Sequence, residues 1–366
     1  MDPARDRVPV HRMDRYMIPA AFPTIFQHEA GYPFDGECSP RRRIVESTFR
    51  SRTPGCDYLS RLHPHPADHV DMVFDEATHT YTYYGKKVEK SCTALVAENF
   101  KAFDASAVVD LNFERWKCDQ DPRYWDIIGL TLSDNGNDRI GDLEAKARIL
   151  HLWESVGAEA SRKGTLLHTY CERVFNLAPG QSPLSHVGYE DIVQEVNQFE
   201  AFLCSDFVKR HSLEPFATEL LVWYTRNNDI VSAGQVDALM RSTATGELFL
   251  IDWKRVACKH DLLSDVGPYE DRFGFGVCRA VPDNKFHKYS LQCSIYALML
   301  QHSHGYDVAR RCFLVRMHSD RANYQIVRCH DWRSVAQSLL EGEHKRLREG
   351  QFQWLDPEVS SMSEQL

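Results

Sequence analysis

The chain has 366 residues, 43% hydrophobic and 26% charged, the balance of an ordinary globular protein with room for one extended domain or two average ones, which excludes fibres and repeat arrays. No stretch reaches the roughly 18 apolar residues that a membrane span needs, so no membrane partner is expected. The formal charge of −9 argues against binding nucleic acid through a basic surface alone, since that attraction comes from lysine and arginine replacing condensed counterions.

Residues 1–65 are rich in proline and arginine, with Arg41-Arg42-Arg43 and His63-Pro64-His65-Pro66, and lack a sustained period; they read as a partly ordered arm. The arginines are a solvated charge run or a contact for a partner. His63 and His65 have no Cys/His neighbours that would make a metal site. Residues 66–142 read as a lead-in. Within it Val70 to Phe74 and Thr80 to Tyr84 predict a small β-meander, and Ser91 predicts the N-cap of a helix through Leu95, Val96 and Phe100. Polar residues 131–141 predict a loop.

Residues 143–350 carry the main domain. Leu143, Ala147, Leu150 and Trp153, and after Gly164 the group Leu166, Leu167, Tyr170, Val174 and Phe175, predict two successive helices; Asp191 to Arg210 predicts a third. Thr218 to Tyr224, Ile230 to Arg241 and Glu247 to Lys254 predict an antiparallel meander turning at 227–229 and 245–246. A loop over 256–286 leads to a helix with Leu291, Ile295, Leu298 and Met299, then to strands Cys312–Met317 and Tyr324–Cys329. Asp331 predicts the cap of a last helix ending near Glu349, and 351–366 reads as a frayed tail. Eleven cysteines without a C-x-x-C pair predict reduced thiols in an intracellular protein rather than a disulfide framework or zinc ribbon.

Asp237 in one predicted strand and Ile251-Asp252-Trp253-Lys254 at the end of the next bring two carboxylates and a lysine to one place if the hairpin turns near Gly246. Paired carboxylates repel unless a divalent cation sits between them, and carboxylates, a hard cation and an ammonium suit phosphodiester hydrolysis. The alternative is an Asp–Lys ion pair at a strand edge. His168 and Glu172 lie four residues apart on one helix face, one turn after Gly164; taken singly they are a core histidine and a solvated carboxylate. Gln292 and Tyr296 share a face of a later helix. Residues 256–288 interleave Phe273 and Phe275 with Arg272, Lys285, His287 and Lys288, which suits a single strand of nucleic acid or an ordinary packed loop. Residues 241–288 hold eight Lys/Arg against seven Asp/Glu, a modest local focus of positive charge.

In order, Gly164-x-x-x-His168, Glu219, Gly234-x-x-Asp237, Asp252-x-Lys254 and Gln292-x-x-x-Tyr296 form a pattern that resembles the RecB-like branch of the PD-(D/E)XK nucleases. Phe74 to Tyr81, with Ser91 and Thr93, resembles the lead-in of related phage and viral exonucleases. The resemblance implies an α/β (α+β) restriction-endonuclease-like core, a mixed central sheet flanked by helices. It implies Mg²⁺, with Mn²⁺ as a substitute, on His168, Asp237, Asp252 and the Trp253 backbone carbonyl. Lys254 would be the catalytic lysine, Glu219 the acidic residue of the preceding strand, Glu172 a supporting group, and Gln292 and Tyr296 contacts to the strand beside Lys285 and Lys288. Val236 replaces the proline of the eponymous motif. The cysteine arrangement of iron–sulfur relatives and the P-loop of helicase-fused ones are missing, so neither an Fe–S cluster nor an ATPase is expected.

The expectation is a metal-dependent deoxyribonuclease, an exonuclease on DNA ends or single strands in replication, recombination or repair, leaving a 5′-phosphate and a 3′-hydroxyl. The alternatives are a structure-selective or nicking endonuclease and a catalytically silent nucleic-acid-binding protein of the same fold. What separates exonuclease from endonuclease is whether the 256–286 loop or the N-terminal arm closes over the cleft.

Overall fold

A computed structural model describes residues 53, 55–64, 67, 70–76, 78–133, 139–256 and 272–353. The Arg41-Arg42-Arg43 run, His65, residues 257–271 of the long loop and the acidic tail lie outside the described residues. Within the stretch expected to be a partly ordered arm, Tyr58–Leu62 forms a short helix, α1, with Leu59 fully buried. Strands β1 (Met72–Asp75), β2 (Thr80–Tyr83) and β3 (Lys86–Lys87) form the expected antiparallel meander. Ser91 caps helix α2 (Cys92–Ala97), its hydroxyl accepting from the amide of Ala94 at 3.2 Å.

Helices α3 (Ala105–Cys118) and α4 (Trp125–Ile128) follow, the first capped by Asp104. The sequence reading passes over them, although Val109, Phe113 and Trp116 are spaced for one buried face. The two helices expected over 143–176 are one, α5 (Asp142–Phe175). Its ends pack into different cores: Ala145 and Ile149 against α3 and α4, Leu167 to Phe175 against the main sheet. Between them residues 154–162 are exposed all round, so no apolar face links the two groups in the sequence, yet the helix runs on unbroken through Gly164. The single helix expected over 191–210 is two, α6 (Val193–Leu203) and α7 (Asp206–His211), because the Ser205 hydroxyl accepts from the Val208 amide and starts a new N-terminus.

Strands β4 (Leu213–Arg226), β5 (Asp229–Ser242) and β6 (Leu248–Arg255) form the expected meander. Asn227 and Asn228, at φ 52° and 66°, turn the first hairpin in the left-handed region that asparagine tolerates. Helix α8 (Lys285–His304) then crosses over to β7 (Cys312–Met317), which pairs parallel to β6; β8 (Gln325–Arg328) and α9 (Arg333–Gln353) close the chain. The result is a mixed five-stranded sheet, ordered β4-β5-β6-β7-β8, flanked by helices. One face packs Leu239, Leu250 and Leu314 against α2, α8 and α9; the other packs Met240, Ile251, Trp253 and Val315 against α5 and α6. No helix of the described residues is long and apolar enough to cross a membrane.

A Cβ added at Gly157 meets nothing within 4 Å. Because the residue sits inside a continuous exposed helix, Gly157→Ala should stabilise the protein by about 0.5–1 kcal/mol in urea denaturation; no gain would mean that the helix is interrupted there.

Candidate active site

The site starts from strand register. Thr218 pairs with Ala238 and Leu220 with Val236, which sets Glu219 opposite Asp237; Ala238 pairs with Ile251, so the next rung sets Asp237 beside Asp252. Three carboxylates therefore occupy neighbouring strands at spacings of about 4.8 Å per strand. The ordinary in–out alternation slips at this rung. Ala217, Leu220 and Val222 all pack toward the α8 face, and so do Val236 and Leu239. In β4 the slip falls on Glu219, whose φ of 47° is left-handed for a residue with a side chain and costs on the order of 1–3 kcal/mol.

His168 comes to the same point from α5. Its Nδ1 lies 3.6 Å from Asp237 Oδ1 and 3.8 Å from Glu219 Oε1, and one ligand atom from each of the three residues falls within 4.8 Å of the others. Burial lowers the His168 pKa, but Asp237 and Glu219 outweigh it and raise the imidazole to about 9. Burial raises Asp237, opposed by His168 and Lys254. Its Oδ2 accepts from the Trp253 amide at 2.8 Å, so Trp253 meets the site through its N–H while its indole fills the opposite core.

Asp252, 1% exposed, pairs with Lys254 Nζ at 2.6 Å, while its Oδ1 has no hydrogen-bond partner among the described residues. Burial pushes the Asp252 carboxyl up to about 6, with Lys254 pulling it down and Asp237 adding to the rise. Burial also opposes the charge on Lys254, but Asp252 and Asp237 more than offset it and hold the ammonium well above its usual range. That ammonium stands 4.9 Å from the centre of the Tyr289 ring.

Gln292 and Tyr296 are joined by a 2.9 Å bond from Nε2 to the phenol oxygen. Tyr296 interlocks with Gly234 of the G-x-x-D element: a Cβ there would lie 2.5 Å from Tyr296 Cε1 and 3.2 Å from Cys92 Cβ. Only glycine lets this strand and α8 approach so closely. Gly164, in contrast, has open space beside it, one turn before His168 on the cavity wall.

His168, Glu172, Glu219, Asp237, Lys254, Gln292 and Tyr296 border a cavity of about 1000 Å³; Asp252 and Trp253, expected as metal ligands, are not among its walls. Lys285 and Lys288, expected to bind substrate, are not among its walls. Lys285 is exposed at the start of α8, and Lys288 is tied to Asp283 at 2.5 Å and set over the Phe100 ring. Phe273 and Phe275 are exposed. The sequence reading missed the wall made by residues 53–64 and the part of Asn176, whose side chain accepts from the Leu59 amide; neither carries a pattern recognisable before folding. Glu172, expected as a supporting group, is buried and accepts from the Thr53 hydroxyl.

Two measurements check this geometry. Gly234→Ala should displace Tyr296 and cost about 1–3 kcal/mol in denaturant unfolding; an unchanged midpoint would contradict the close approach. In metal-free protein the His168 ring should titrate near pH 9 by NMR. With the folded value above the ordinary 6.5, its protonation stabilises the fold fully below pH 6.5, and that contribution disappears as pH rises through 9.

No protein-family model and no curated protein matches the chain. Among solved structures, the one described as "Crystal structure of SSO0001" aligns with a TM-score of 0.23 and 14% identity over 46% of this chain, and the chain spans 65% of that one.

Proposed function

We propose that this chain is a metal-dependent deoxyribonuclease with a PD-(D/E)XK-type core of the RecB-like branch, hydrolysing phosphodiester bonds at DNA ends or in single strands. The observation that carries the reading is the rung of Glu219, Asp237 and Asp252 with His168 above it and Lys254 beside it. Oxygen and imidazole donors of His168, Glu219 and Asp237 within 4.8 Å of one another fit Mg²⁺ or Mn²⁺, while Asp252, buried against Lys254, lies outside that group and supports the ammonium. His168, Glu219 and Asp237 would hold the cation, which when bound would neutralise the phosphate and acidify the attacking water.

The chain's own groups do the rest. Lys254, kept protonated by Asp252 and Asp237, is an electrostatic group and not a base: it orients water by donating to it and stabilises negative charge growing on the phosphate. Asp237 is fixed through the Trp253 amide, so its second oxygen keeps its direction. Gln292 and Tyr296, bonded to one another, present a polar edge to a strand in the cavity. With Glu172, Glu219 and Asp237 among its walls, the cavity repels a polyanion until a cation is present, so DNA binding itself should depend on the metal.

The test is cleavage of end-labelled linear single- and double-stranded DNA in Mg²⁺ or Mn²⁺. Asp252→Asn and Lys254→Met should each lose about 10²–10³-fold in rate while keeping the wild-type circular dichroism. Wild-type protein that leaves both substrates intact and takes up neither cation at millimolar concentration in calorimetry would refute the proposal.

A further inference from the structure

Phe273, Phe275 and Val277 stand out from the turn that precedes α8, at 46%, 55% and 47% exposure. Apolar side chains exposed singly are ordinary, but three within five residues form a patch. The turn beneath them is held firmly. The Phe275 amide donates to the Asn99 carbonyl at 2.7 Å and the Gly274 amide to the Val281 carbonyl at 3.0 Å, while Cys278 and Val281 are buried in the core shared with α2 and α8. A Cβ at Gly274 would lie 2.6 Å from Cys278 Cβ and 2.9 Å from the Asn99 carbonyl oxygen, and Gly276 takes a left-handed φ of 53°. The two glycines let the chain close tightly on itself, so both phenyl rings are presented on a fixed backbone.

Cations surround the patch. Residues 272–288 hold four Lys/Arg against one Asp, in a chain whose formal charge is −9. Arg279 and Lys285 are exposed and, like Lys101 two residues beyond Asn99, have no carboxylate partner among the described residues. Lys288, although paired with Asp283, lies over the ring of Phe100, the neighbour of Asn99. Unpaired positive charge beside rigid exposed rings is the chemistry that receives a single-stranded nucleic acid, whose phosphates meet the cations and whose bases offer open π-faces. A duplex keeps its bases stacked inside and would leave the rings unused, and an apolar protein face would strip water from the cations without pairing them.

The patch adjoins the site without belonging to it. Residues 272–288 are not among the cavity's walls, but the turn leans on the segment that follows α2, whose Thr93 borders the cavity, and leads into α8, whose Gln292 does. From Lys285 to Gln292 that helix rises about 10 Å, at about 1.5 Å per residue. We infer that the 273–279 turn, with Lys101 and Lys285, is a platform that holds single-stranded DNA outside the cavity: bases stack on Phe273 and Phe275, and Arg279, Lys285 and Lys101 take the phosphates. The choice of DNA rests on the nuclease reading above. To that reading the platform adds a second contact on the same strand, so a strand long enough to touch both places is held more tightly than one that fills the cavity alone.

The experiment follows the fluorescence anisotropy of labelled thymidine strands of about 4 and about 16 nucleotides in Mg²⁺. The protein is the full chain with Lys254→Met, which the proposed mechanism makes slow to cleave, and its turn is either unaltered or carries Phe273→Ala, Phe275→Ala, or Arg279→Ala with Lys285→Ala. The unaltered turn should bind the longer strand more tightly than the shorter. Loss of either ring should weaken the longer strand about tenfold and leave the shorter unchanged. Both rings are exposed, so the circular dichroism should stay the same. Phe275→Trp, which keeps a surface for stacking, should retain the affinity that Phe275→Leu loses. Removing the two cations should flatten the slope of log affinity against log salt by about 1.4. Unmoved affinity for the longer strand in both phenylalanine-to-alanine variants overturns the inference. An equal loss on both lengths overturns it too, since the turn would then act by shaping the cavity, and so does a leucine that serves as well as tryptophan. Ring-dependent binding of the longer strand by a chain that, with Lys254 restored, cleaves no DNA and takes up no cation upholds the platform and marks the failure of the nuclease reading.

Discussion

Crowding of negative charge on one rung of the sheet is the constraint to which the surrounding structure answers. Glu219, Asp237 and Asp252 stand on adjacent strands, and burial raises the pKa of the two aspartates. Lys254 and His168 keep the cluster tolerable, the one paired with Asp252, the other close to Asp237 and Glu219. The arrangement is costly to a fold that needed only stability, since apolar residues of similar size would pack the same space without desolvating charge. A polar floor of this kind beside a cavity is the feature on which the proposed function rests.

The backbone contributes as much as the side chains. A regular β-ladder would send alternate residues to opposite cores, yet at this rung β4 and β5 both shift phase, and Glu219 takes a left-handed φ to do so. Pairing continues across the shift, so the sheet remains intact while the carboxylates turn toward the gap between its helices. Tyr296 locks the downstream side by resting on Gly234, and Asn176 locks the upstream side through Thr218.

Much of this was legible in the sequence because its causes are local. Strand-like segments set off by turn residues marked β5 and β6, Asn227-Asn228 marked the hairpin of β4 with β5, and the spacing of Asp237 and Asp252 about Gly246 predicted that the two would meet. Gly164, His168, Gln292 and Tyr296 all border one cavity, as their order suggested. What escaped depends on contacts between distant segments. A polar run inside α5 looks like a linker until two cores at its ends hold it helical, and Ser205 interrupts a stripe of apolar residues by competing for an amide. Residues 53–64 have no periodicity; their place is set by Asn176 and Glu172, more than a hundred positions away. Lys285 and Lys288 lie off the cavity's walls, since basic composition near a site in sequence does not decide which way a side chain points.

Helix α5 has one more consequence. At 1.5 Å per residue its 34 residues run about 51 Å, from a small core built by Val109, Phe113, Trp116 and Ile149 to the main core at Leu167 and Phe175. Two cores joined by a solvated rod are separate cooperative units, each opening with its own free energy. The outer unit can fray, acquire insertions or dock and release without melting the turn that carries His168, so the chain has a peripheral region in which change is insulated from the carboxylate rung.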